Sequence, residues 1–158
     1  MSRPSQELLQ AESAVYSVIQ SLIDSQEALV EIGEKLQDKS LKHFFLSESL
    51  KRAEFRGELE AILNQEGVSE LRESGTTAGI LHRAWIRLSS RFDGGDRTLL
   101  ATAEQGEGAA AEAYGSAMNT PLPLPIRQVL STQASHIHET HDFVKAARDR
   151  IAESMNAA

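Results

Sequence analysis

Residues 41–63 read LKHFFLSESLKRAEFRGELEAIL. Leu41, Phe44, Phe45, Phe55, Leu59, Ile62 and Leu63 recur there at helical spacing, forming one apolar stripe on a cylinder that turns by about 100° per residue. Glu48 and Arg52 fall inside that stripe rather than opposite it. The stretch predicts a helix with two charges in the middle of its buried face. It begins near Ser40, with Asp38 or Ser40 as N-cap, and Gly67 suits its stop.

The same periodicity extends outward in both directions. Upstream, Ser5 to Gln37 carries Leu8, Val15, Ile19, Leu22, Leu29 and Leu36 on one face. Downstream, Leu81, Trp85, Leu88 and Phe92 predict a short helix over Thr77 to Arg91. The turn at residues 93–96 leads into a third long helix, with Asp96 as its expected N-cap and Leu99, Leu100, Ala103, Ala110, Ala111, Tyr114 and Met118 along it. A proline-rich loop (Pro121, Pro123, Pro125) precedes a fourth, carrying Ile126, Leu130, Ile137, Val144, Ile151 and Met155. Its alanine-rich end is expected to fray. No strand alternation competes with these patterns.

Four long amphipathic helices predict an all-α fold, a four-helix bundle in a single domain over 1–158 with its core at about 5–155. Connection lengths select its topology. Helices one and two, and three and four, are joined by short turns. Between two and three lie residues 67–94 with their own short helix, enough to run back along the bundle. That favours up-down-down-up, the single-crossover arrangement of ferritin-like bundles.

Charge and composition exclude several functions. The chain has 158 residues, with 16 Lys+Arg against 23 Asp+Glu and a formal net charge of −7. This balance argues against nucleic-acid binding and against docking on an anionic membrane. Cysteine is absent, which removes disulfides, thiolate metal sites and thiol nucleophiles. The first residues carry no apolar signal-peptide core, and no run is long enough to span a membrane, so a cytoplasmic location is expected.

The interior offers a more specific signal. Besides Glu48 and Arg52, the helical phases put Gln26 on the first seam, Glu107 on the third with Glu104 at its flank, and His141 on the fourth. His136 and His138 fall to either side of the fourth seam and are expected at the surface, and Gln133 sits deeper. Under the crossover topology Gln26, Glu48, Arg52, Glu107 and His141 lie within about one turn of each other in height. Buried charges are costly unless paired or coordinated. The layer therefore reads first as a polar network, in which Arg52 pairs with a carboxylate while Gln26 and His141 complete the hydrogen bonds. A second reading is a metal site built from Glu48, Glu104, Glu107 and His141, whose oxygen and imidazole donors suit iron, manganese or zinc. Against it, Arg52 repels a cation and competes for the same carboxylates. A third is a small ligand held by Arg52 and His141. Weaker candidates are a surface group of His138, His141 and Asp142, and His82 and Arg83 beside Trp85. Gly106 and Gly108 lie within a helix and form no phosphate loop.

Several segments carry a family resemblance. They are Thr76-Thr-Ala-Gly-Ile-Leu-His-Arg-Ala-Trp85, Arg52-Ala-Glu-Phe55 with Glu58-Leu59, Glu104-Gln-Gly-Glu107 with Tyr114, and His141-Asp142. Taken in chain order, between about Leu22 and Ile151, they resemble the bacterial domain-of-unknown-function family 2383. The resemblance implies a ferritin-like four-helix domain of bacterial origin and no established activity. The chain departs from the di-iron pattern of one Glu on each of two helices and Glu-x-x-His on each of the other two. Helix two offers Glu48-Ser-Leu-Lys51 or Ser49-Leu-Lys-Arg52, with a cation where His is wanted, helix four offers Gln133-Ala-Ser-His136 or His138-Glu-Thr-His141, and helix one puts Gln26 on the seam while Asp24 and Glu27 point away. The reading is a non-enzymatic structural or interaction module, self-associating or bound to a protein partner, with no cofactor expected. The alternative is a metal-binding or redox, stress-related protein using Glu48, Glu107 and His141.

Overall fold

The computed structural model describes residues 6–65 and 95–157. Within them the chain is all-helical: α1 Gln6–Lys35, α2 Lys39–Gln65, α3 Asp96–Met118 and α4 Leu124–Ala157. The short helix expected at Thr77–Arg91, with His82, Arg83 and Trp85, and the stop at Gly67 lie outside the described residues.

The ends of the helices follow from local chemistry. Asp38 caps α2, its Oδ1 accepting from the Leu41 amide at 2.9 Å. Asp96 was expected to cap α3 but is instead its first residue. The cap position is Gly95, with no side-chain hydrogen bond. The Asp96 carboxylate reaches across to the α1–α2 turn, accepting from the Gln37 amide at 2.8 Å and the Asp38 amide at 3.0 Å. Sequence spacing alone could not show this link, because the two segments are far apart in the chain. At the opposite end, Arg127 donates to the Met118 and Thr120 carbonyls, both at 3.0 Å, satisfying acceptors left open where α3 ends. Pro125 is tolerated in the first turn of α4, where a missing N–H costs nothing.

α1 packs on α2 and α3, and α4 packs on α3 and α2. A Cβ built on Gly33 would lie 3.2 Å from Phe45 Cβ and from Leu46 Cδ2, so glycine permits the close approach of α1 to α2.

The core falls into two apolar clusters. One contains Leu29, Ile32, Leu36, Leu41, Phe45, Leu99, Leu100, Ala103, Val144 and Ala147. The other contains Ile19, Leu22, Phe55, Leu59, Ala110, Tyr114, Leu130 and Ile137, among others. On α2, α3 and α4 the residues between the clusters are polar and buried: Glu48, Ser49 and Arg52, then Glu107, then Thr140. α1 buries Asp24 and Ser25 at the corresponding position. Asp24, expected to point away from the seam, is only 5% exposed.

Candidate functional site: a guanidinium between two carboxylates

Arg52 is the hub of the polar layer. It is fully buried, a large cost for a charge unless it is paired and hydrogen-bonded. Its Nε donates to Glu48 Oε1 at 3.0 Å, one turn back on α2, and its Nη2 donates to Glu107 Oε2 on α3. Glu107 is 1% exposed and Glu48 5%. The guanidinium therefore lies between the two carboxylates that the metal reading required.

The electrostatics follow from this burial. Desolvation works against the charge on Arg52, but Glu107 and Glu48 outweigh it and hold the guanidinium above its usual value. Desolvation pushes the Glu107 carboxyl above the ordinary carboxylate range, with Arg52 offsetting part of the rise. The three formal charges, −1, +1 and −1, sum to −1.

The fourth helix contributes a different histidine from the one expected. His136 Nε2 lies 2.8 and 3.0 Å from the Glu48 carboxylate oxygens. Its ring stands edge-on to Phe55, with centroids 5.2 Å apart. Thr140 Oγ1 donates to the His136 carbonyl at 3.0 Å and lies 3.4 Å from Glu48 Oε1. His141 is at the flank, its side chain 29% exposed, with Nε2 4.0 Å from Glu104 Oε1. Glu104 accepts from Arg148 in turn. Gln26 is half-buried, and among the described residues it makes no hydrogen bond to Glu48, Arg52 or Glu107. His138 is exposed, as expected.

A second polar cluster escaped the sequence reading. Gln133, fully buried, accepts from the Tyr114 hydroxyl at 2.7 Å. Its Nε2 lies 3.1 Å from the Phe55 carbonyl and 3.0 Å from Glu58 Oε2, donating toward both. One amide thus ties α4 to α3 and α2. Burial also raises the pKa of the Tyr114 hydroxyl, which stays protonated as a donor. The available signal was a Gln on the α4 stripe and a Tyr on the α3 stripe.

Among the described residues no three His, Asp or Glu side chains are grouped to hold an ion. Glu48 and Glu107 instead face a guanidinium that repels a cation. Glu104 and His141, the other candidate ligands, lie together at the flank with Arg148 on Glu104. A groove of about 740 Å³ opens between α1 and α3, lined by Gln10, Ser13, Ser17, Glu112, Ser116 and Asn119, away from Arg52. Among the described residues no helix is long and apolar enough to cross a membrane.

A comparison with curated proteins gives no match. A family model does match, Domain of unknown function (DUF2383), over residues 10–120, which include Glu48, Arg52, Glu104, Glu107 and Tyr114. On that match, which spans most of the chain, the protein belongs to the DUF2383 family.

Proposed function

We propose that the chain is a non-enzymatic, ferritin-like bundle with up-down-down-up topology, working as a structural or interaction module that associates with itself or with a protein partner. The topology is supported by the link from Asp96 to the α1–α2 turn, which puts the start of α3 beside the start of α2. It is supported equally by the apolar clusters, which pair the late part of α1 with the early parts of α2 and α3 and the late part of α4. The α2–α3 connection is then the one long crossover.

The observation that carries the non-enzymatic reading is the position of Arg52. Its guanidinium takes up one oxygen of each interior carboxylate and supplies the positive charge that a metal would supply. What remains is a polar layer across a four-helix interior. Such layers can specify helix register, because any shift in height leaves the charges without partners. The test is elemental analysis of the full chain purified without chelator. Iron, manganese and zinc are expected well below one equivalent per chain. A stoichiometric metal that is lost on replacing Glu48, Glu107 or His141 overturns the reading in favour of a metal-binding protein.

A further inference from the structure

Among the described residues, two buried atoms of the Arg52–Glu107 pair have no hydrogen-bond partner: Arg52 Nη1 and Glu107 Oε1. They belong to the two side chains already joined through Nη2 and Oε2. A free guanidinium would meet a carboxylate with two parallel bonds. Here Nε donates to Glu48 on the same helix, and a single Nη meets Glu107. One donor and one acceptor are left over on neighbouring groups, both out of contact with bulk solvent.

We infer that the layer contains a binding site for one ordered water, which accepts a hydrogen bond from Arg52 Nη1 and exchanges one with Glu107 Oε1. Leaving both atoms unpaired is expensive, and a buried water normally has two to four such partners. Water fits either protonation state of Glu107. It donates to the ionised carboxylate oxygen, or it accepts from the acid O–H while still accepting from Nη1. An anion fits poorly beside two carboxylates, and a metal cation fits poorly beside a guanidinium. The inference stands on the geometry around Arg52 and does not depend on the module being structural.

The test is a high-resolution crystal structure of the full chain with anomalous data, paired with water relaxation dispersion in solution. A single water peak within hydrogen-bonding distance of both atoms is expected. The count of long-lived waters should fall by one in Glu107→Met, which removes the acceptor while leaving the Arg52–Glu48 pair. No peak, with the two atoms bonded to each other or to protein groups, overturns the inference. So does a peak with the anomalous signal of a metal or halide. Should Glu107→Met fail to fold, the crystal structure of the unaltered chain decides by itself.

Discussion

Replacing Arg52 by alanine tests the polar layer most directly. The substitution removes the only cation bonded to Glu107 among the described residues and one partner of Glu48, taking the formal charge of the trio from −1 to −2. With Glu107 1% exposed, bulk solvent cannot screen the loss. Breaking a buried pair from one side costs about 3–5 kcal/mol. At about 2–4 °C per kcal/mol for a chain of this size, the melting temperature should drop by roughly 6–20 °C. Urea unfolding followed by circular dichroism at pH 7 measures the free energy, and calorimetry the temperature. The sign of the pH dependence is fixed by Glu107. Its pKa in the folded protein lies above the ordinary carboxylate value because of burial, so at pH between the two values the folded state holds a proton that the unfolded chain has released. Stability is therefore greatest below the ordinary carboxylate value and falls as pH rises through the folded value. Without Arg52 that fall should steepen and extend to higher pH, and acidification should recover part of the loss. A double variant, Arg52→Met with Glu107→Leu, leaves Glu48 with His136 and should recover most of it, since a buried pair can often be exchanged for apolar packing. A loss under about 1 kcal/mol at pH 7 with no dependence on pH would refute the burial argument.

Three further outcomes are expected. Asp96→Ala removes both bonds to the α1–α2 turn and should cost about 1–2 kcal/mol, with faster hydrogen exchange at the Gln37 and Asp38 amides by NMR. Gln133→Leu leaves the Tyr114 hydroxyl without its acceptor and should cost about 1–3 kcal/mol by urea unfolding, whereas Gln133→Leu with Tyr114→Phe should cost less than the sum of the two single changes. Gly33→Ala gains about 1 kcal/mol of helix propensity. It nevertheless should lower the urea midpoint, because the new methyl meets Phe45 Cβ at 3.2 Å, an atom held close to its backbone.

Helical phase was enough to find the charged heart of the bundle. Glu48, Arg52 and Glu107 lie on apolar stripes, and any helix that buries its stripe must bury them. The phase of a stripe identifies the direction of the bundle axis but says less about directions toward a neighbouring helix. His136, about 100° from the α4 seam, is pointed not at the axis but at α2, where Glu48 meets it. Asp24 lies off the stripe in the same way: α1 buries a second strip of Ser21, Asp24, Ser25 and Ala28 beside its apolar seam. The link from Asp96 to the Gln37 and Asp38 amides was hidden for another reason. An aspartate at a helix start predicts a cap, and only tertiary placement shows that its acceptors serve another segment. Tyr114 was legible as core, but its hydroxyl gave no indication of its partner on α4.

The cation between Glu48 and Glu107 is tethered to α2 by its own side chain. A bound ion can be removed by dilution, stripped by a chelator or exchanged for a competitor, whereas a covalently attached one cannot dissociate. The folded population of this bundle should consequently be the same in metal-starved and metal-replete surroundings, and EDTA should leave its unfolding curve unmoved.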